Sequence, residues 1–286
     1  MERRVAFVTG ASRGIGRASS IALAERGYDV VITARTLKEG TGVARGSSLH
    51  DAREVPVSGS LESTAAEIEK QGRRALSIRL DLLDRESCER AVDDALEQWG
   101  RIDLLLNNGV YQGPGVMDRF LDVPPDQVHT IFLGNVFNQI AITQRVLRHM
   151  LGRPGRGVIL NMTSTSGTID PPGPVGEGGW GYVYAASKGA FHRMAGILHA
   201  EHAGDDIHVF NVNPGYTPTE TMRALAGSDT DLDAAFVGVP PEATAKVVAW
   251  LAADPAADEW RGQTVIAPKL CNKLGLLPGW KPPRRR

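Results

Sequence analysis

Two tyrosines and a lysine lie inside the stretch GYVYAASKGAF, Gly181 to Phe191, among small and apolar residues. On a helix, side chains four positions apart stack one turn above another, which pairs Tyr184 with Lys188 and leaves Tyr182 out. A tyrosine near its ordinary pKa of about 10 is a poor proton donor or acceptor at neutral pH. A fixed ammonium group beside it favours the phenolate and lowers that value, which suits acid–base work on an alcohol or a carbonyl. The small residues Ala185, Ala186 and Ser187 between them let a cofactor lie close. Standing alone, the pair reads more simply as a surface contact on an amphipathic helix.

A second stretch, VTGASRGIG, puts Gly10, Gly14 and Gly16 at the turn from a first strand into a first helix, with Ser12, Arg13 and Ile15 between them. Glycines there let the backbone approach a pyrophosphate, while the helix N-terminus supplies N–H donors and partial positive charge. The spacing is GxxxGxG rather than GxGxxG, and its place between strand and helix points to a dinucleotide. The next apolar run ends in ITART, with Arg35 where an NAD site places Asp or Glu to accept from the ribose 2′-OH. Two guanidinium groups, Arg13 and Arg35, favour a 2′-phosphate through charge-assisted contacts. The expected cofactor is therefore NADP(H), with NAD(H) the alternative; as ordinary solvated arginines the two would select neither.

YAASK following TGASRGIG resembles the short-chain dehydrogenase/reductase family, and the likeness extends over nearly the whole chain. The resemblance implies a catalytic tetrad. In NMTSTSG the matching serine is Ser164, three residues before the glycine; GNV supplies Asn135, which in the family holds a water for proton relay; Tyr184 and Lys188 complete the set. It also implies that Ser164 bonds the substrate oxygen, that Tyr184 gives it a proton in reduction, and that Lys188 holds the nicotinamide ribose. NPGYTPTE resembles the segment that touches the nicotinamide, through Pro214, Gly215, Thr217 and Thr219, and LDL places Asp81 and Leu82 beside the adenine. The usual NNAG appears as NNGV: Asn107 and Asn108 stand, and Val110 replaces a glycine next to the cofactor. Residues 217–240, with Met222, Leu225 and Phe236, fall where the family carries a substrate lid. A homodimer or homotetramer is expected by the same analogy, and the C-terminal stretch lacks the DGG ending of the acyl-carrier-protein reductases.

These residues need a frame. RVAFVTG, DVVITAR, RALSIRLD, RIDLLLNN, GVILNMTS and IHVFNVNPG are short apolar runs bounded by turn residues. Helical patterns separate them, the long ones at Arg85 to Trp99, Pro125 to Leu151 and Tyr182 to Ala203. Buried β-branched runs alternating with helices indicate an α/β fold, a Rossmann-type doubly wound parallel sheet, covered on both faces. No linker or repeat divides residues 1–286, which read as one domain. Two inserts interrupt the alternation, at about 39–59, where it is placed to cover the adenosine ribose, and at 168–181, whose Trp180 is placed to wall the substrate site.

Bulk properties exclude several function classes. Lys+Arg 32 against Asp+Glu 33 leaves no footprint for nucleic acid or an acidic membrane. Cys88 and Cys271 are the only cysteines and suit neither a disulfide framework nor zinc. His199 and His202 lack a third ligand, so no metal is expected. With no apolar leader and no spanning run, the expectation is a soluble, cytoplasmic protein. The leading reading is an NADP(H)-dependent reductase acting on a small-molecule carbonyl or its alcohol. The others are an NAD-linked hydroxysteroid- or sugar-type dehydrogenase, and a dinucleotide-binding sensor or scaffold without turnover.

Overall fold

The computed structural model describes residues 3–226 and 238–282. Seven parallel strands form one sheet in the order β5-β2-β1-β6-β7-β8-β9: β1 (Arg4–Thr9), β2 (Tyr28–Ala34), β5 (Ala75–Arg79), β6 (Leu104–Asn107), β7 (Gly157–Met162), β8 (Ile207–Asn213) and β9 (Thr264–Ile266). The strand order reverses between β1 and β6, so a crevice opens at their carboxyl ends, where such sheets bind ligands. β2, β7 and β8 are buried at every position, which is why their sequences run apolar without alternation.

Helices α1 (Gly14–Glu25), α2 (Leu61–Lys70), α8 (Pro241–Ala253) and α9 (Ala267–Leu274) cover one face, packing Leu23, Ile68, Val247 and Leu270 against Val8, Ile32, Leu106 and Phe210. Helices α3 (Arg85–Trp99), α5 (Asn138–Leu151) and α6 (Tyr182–Glu201) cover the other, with Val92, Ile142 and Ala195 against Phe7, Leu105 and Val209. Fully burying one such large side chain contributes about 2 kcal/mol. Local signals set the ends: Ser60 and Ser63 form a reciprocal capping box on α2, Asp84 caps α3, and Gly100 ends α3 in the left-handed conformation. No helix among the described residues is long and apolar enough to cross a membrane.

The helical pattern expected over Pro125 to Leu151 divides in three: α4 (Pro125–Phe132), a π-helical turn at Leu133–Phe137, and α5. The first insert folds as an antiparallel hairpin, β3 (Val43–Arg45) with β4 (Glu54–Pro56). Its tip lies on the loop after β6, where Ser48 Oγ donates to Asp118 Oδ1 at 2.6 Å, Leu49 N donates to Asp118 Oδ2 at 2.8 Å and Met117 N donates to Ser47 O at 3.0 Å. Both hairpin strands contact α7 (Glu220–Ala226). The expected lid lies only partly within view, since Phe236 and the rest of 227–237 fall outside the described residues.

Candidate active site

The chemical end is built from the ends of β6 and β7 and the first turns of α6. Strand β7 runs into a single 3-10 turn, Thr165–Gly167, with Ser164 as its cap. A Cβ on Gly167 would lie 2.6 Å from Gly189 N and 2.7 Å from Lys188 C, so only glycine lets this turn press on α6. Asn213 Nδ2 donates to Thr165 Oγ1 at 2.7 Å and ties the turn to β8. Ser164 is thereby held near Tyr184, whose phenol its hydroxyl influences.

Tyr184 packs beside Val116, Ile131 and Val183. Burial pushes its phenol above the ordinary tyrosine value, and the Ser164 hydroxyl pulls it down. This differs from the expectation that the ammonium below it dominates. Lys188 Nζ donates instead to Met162 O at 3.0 Å, and burial pushes that amine down to about 8. Desolvation thus disfavours the charged form of both groups. Asn135 sits in the π turn, where Asn138 N reaches back five residues to Leu133 O. Its Oδ1 accepts from Tyr111 N at 2.7 Å and its Nδ2 donates to Ser187 Oγ at 3.3 Å, one residue before Lys188. Such π turns in α-helices often mark functional sites. Asn135, Ser164, Tyr184 and Lys188 therefore converge on one end of the sheet.

The glycine turn lies at the neighbouring strand end. Gly10 and Gly14 adopt φ of 68° and 55°, and a Cβ on Gly10 would meet Gly109 Cα at 2.8 Å. Helix α1 begins with no side-chain cap and no acid in its first turn, which leaves its first amides for an anion. Ser12 is buried and Ile15 packs on the core. Asn108 Nδ2 donates to Thr9 O at 2.9 Å, and Thr9 Oγ1 accepts from Gly109 N at 2.8 Å, locking β6 to the turn. Asn107 reaches sideways to Thr143 and Asn161. The NNGV departure is accommodated without strain: Val110 needs no left-handed backbone, and Gln139 Nε2 holds Gly109 O at 2.6 Å.

At the end of β2, Arg35 is exposed, whereas Arg13 is spent on the first insert. Arg13 Nε donates to Ser58 O at 2.8 Å, and its Nη2 donates to Gly59 O at 2.8 Å and to Thr36 Oγ1 at 3.3 Å. Burial lowers its pKa, with Glu220 opposing and Arg35 reinforcing the shift. Asp81 accepts from Leu83 N at 3.0 Å, next to Leu82. Past β8, Pro214 and Gly215 lead to Thr217, whose hydroxyl is buried without a partner, and Thr219 lies against Gly14. The unpartnered hydroxyl of Thr217, Thr219 set against Gly14, an uncapped helix start and two guanidinium groups fit a dinucleotide.

With Phe120, Ile169, Tyr182 and Ala186, Trp180 lines a cavity of about 910 Å³ on the outer side of α6, to which neither Ser164 nor Tyr184 contributes. Sequence reasoning missed Asp118, which anchors both the hairpin tip and Gly115 N, and Ser166, which bonds Ser164. Ser166 was legible only as a neighbour in NMTSTSG, and nothing in the sequence marks Asp118.

A family model described as short chain dehydrogenase matches residues 4–57 and 50–229. Over 264 residues the chain is 30% identical to an uncharacterized oxidoreductase of Methylorubrum extorquens, covering 90% of this chain and 93% of that protein. It is 28% identical over 283 residues to a versicolorin reductase of Emericella nidulans, covering 93% of this chain and 94% of the relative. Among solved structures, the acetoin dehydrogenase from Salmonella typhimurium superposes with a TM-score of 0.71 at 27% identity, covering 93% of this chain and 94% of that one.

Proposed function

The chain belongs to the short-chain dehydrogenase family, and we propose that it is an NADP(H)-dependent oxidoreductase interconverting a small-molecule carbonyl compound and its alcohol, with Tyr184 as general acid and base. The observation that carries this reading is the packing of the Ser164 turn on α6, where Gly167 meets the backbone of Lys188 and Gly189 and Lys188 Nζ donates to Met162 O at 3.0 Å, with Tyr184 one helical turn before Lys188. When bound, the dinucleotide supplies or accepts the hydride. Ser164 donates to the substrate oxygen and fixes it beside Tyr184 Oη. Tyr184 passes its proton to that oxygen in reduction and takes it back in oxidation. In this reading Lys188 holds the nicotinamide ribose and Asn135 holds a water for proton relay. The glycine turn, from Gly10 through Ser12, Arg13, Gly14 and Ile15 to Gly16, cradles the diphosphate. Arg35, Asp81, Leu82 and Asn108 flank the adenosine half, and Pro214, Gly215, Thr217 and Thr219 flank the nicotinamide.

NADPH oxidation measured across a panel of ketones, aldehydes and quinones tests the proposal. Turnover by the wild type, lost about a thousandfold in Tyr184→Phe with dinucleotide affinity retained, is the expected result. No turnover on the whole panel, or an active Tyr184→Phe, overturns it.

The preference for NADP(H) draws on the absence of an acid at the end of β2 and on the proximity of Arg13 to Arg35. NAD(H) is the second reading, favoured by the commitment of Arg13 to the carbonyls of Ser58 and Gly59. KM for NADPH well below that for NADH decides for the first; the reverse order decides for the second.

We also propose a homodimer or homotetramer formed through the outer faces of α5 and α6. Phe137 beside α5, Ile140 on it, and Tyr182 and Ile197 on α6 leave large apolar groups exposed there. Light scattering checks it: a monomeric mass across the micromolar range sinks it.

A further inference from the structure

We infer that Ser166 is a positioning residue for proton transfer, acting through Ser164: its hydroxyl fills the acceptor side of Ser164 Oγ, so that the single proton Ser164 carries is left to point into the site, toward Tyr184 in the free protein and toward the substrate oxygen once substrate is bound. The inference rests on the reading of Tyr184 as the acid–base group.

Ser166 Oγ donates to Ser164 Oγ at 2.9 Å, and Ser166 N donates to the same atom at 3.3 Å. A hydroxyl has one proton and two lone pairs. With both lone pairs taken, Ser164 is a donor only, which agrees with its hydroxyl pulling the Tyr184 phenol down. Ser166 thus donates into Ser164, and a hydroxyl that accepts in this way is polarised to donate onward. Were Ser166 an alanine, Ser164 would regain a free lone pair and could turn to accept from the neutral phenol, which stabilises the wrong protonation state.

Ser166 cannot easily swing away. It is 7% exposed and sits in a turn fixed twice, by Gly167 pressed on α6 and by Thr165 bonded to Asn213. Its outer side borders the cavity behind α6, so the chain of hydroxyls ends near the surface rather than in the core.

The test needs no substrate, so its failure is separable from failure of the catalytic reading. The full chain is prepared with ¹³Cζ-labelled tyrosine, Tyr184 is assigned through Tyr184→Phe, and its ionisation is followed by NMR. Ser164→Ala is expected to raise the Tyr184 midpoint, Ser166→Ala to raise it by a smaller amount of several tenths of a pH unit, and Ser166→Thr, which keeps a hydroxyl, to restore it. Ser166→Ala placed on Ser164→Ala should add nothing, because Ser166 acts only through Ser164. Should the fold melt before the phenol ionises, the ¹³Cζ shift at pH 7 is read instead, with displacement in Ser166→Ala and recovery in Ser166→Thr as the supporting result. A Tyr184 signal unmoved by Ser166→Ala, or moved equally when Ser164 is already alanine, overturns the inference.

Discussion

The ammonium nitrogen of Lys188 lies 3.0 Å from the carbonyl oxygen of Met162, so the lysine that is paired with Tyr184 by helical spacing also staples α6 to the end of β7. Burial brings this amine down to about 8, while a lysine in the unfolded chain titrates near 10.4. Between these values the unfolded chain holds a proton that the folded chain has shed, so stability from this group rises with pH across the window of about 8 to 10.5. Below it, the buried charge costs on the order of 3 kcal/mol, only partly offset by the roughly 1 kcal/mol of its hydrogen bond. Lys188→Met without dinucleotide is therefore expected to resist urea better than the wild type at pH 7, with the gap closing by pH 10, and to lose turnover. Equal or lower stability of the variant at pH 7 would show that burial does not dominate.

Asp118 gathers three donors, Ser48 Oγ, Leu49 N and Gly115 N, onto one buried carboxylate. Among the described residues, the one other hydrogen bond that ties the hairpin tip to the loop after β6 is Met117 N on Ser47 O. Removing a charged acceptor of this kind costs about 1.5–3 kcal/mol per bond. Asp118→Ala is expected to speed hydrogen exchange at Leu49 and Met117 at least about tenfold, since 1.4 kcal/mol is a factor of ten, with core strands β1 and β7 unchanged. Unchanged exchange at Leu49 would mean that the tip is held by other contacts.

Much of this arrangement was legible beforehand because it is written locally. Gly10, Gly14 and Gly16 mark a strand-to-helix turn, and Tyr184 and Lys188 declare themselves by a four-residue interval. The doubly wound sheet followed from apolar runs alternating with helices. What stayed hidden depends on residues far apart in sequence. The Ser48–Asp118 contact joins positions 70 residues apart, and no local pattern encodes it. The π turn around Asn135 keeps the same apolar face as the helices beside it, so periodicity reads straight through it. The direction of the Tyr184 shift is hidden for the same reason: spacing shows the ammonium, whereas burial and the Met162 carbonyl come only with the fold.

The contact of Gly167 with α6 gives a sharp steric prediction. A methyl group there would lie within 2.9 Å of Gly189 N and of the Lys188 backbone, none of which can yield. At Gly189, by contrast, the nearest atom would be Gly167 O at 3.2 Å. Overpacking of this kind costs about 1–3 kcal/mol. Gly167→Ala is expected to lower Tm by several degrees and to depress kcat more than KM, because the turn that carries Ser164 is pushed away from Tyr184. Gly189→Ala should be much milder in both. Similar effects in the two variants would count against the close approach as the cause.

The carboxylate of Glu220 faces the glycine turn at close range. Its Oε2 is buried without a partner, 3.6 Å from where a Cβ on Gly14 would stand, and its charge acts on Arg13. An anion at this place occupies the field that the α1 N-terminus offers to a diphosphate, and two like charges in a poorly solvated cleft repel by more than either gains there. Glu220→Gln keeps the shape of the side chain and removes the charge. It is expected to tighten dinucleotide binding three- to tenfold, with kcat changed less than Kd. The competing account is that Glu220 serves mainly to hold Arg13 in place for the cofactor. Under that account the same substitution loosens binding, so fluorescence titration of NADPH against the two proteins separates them.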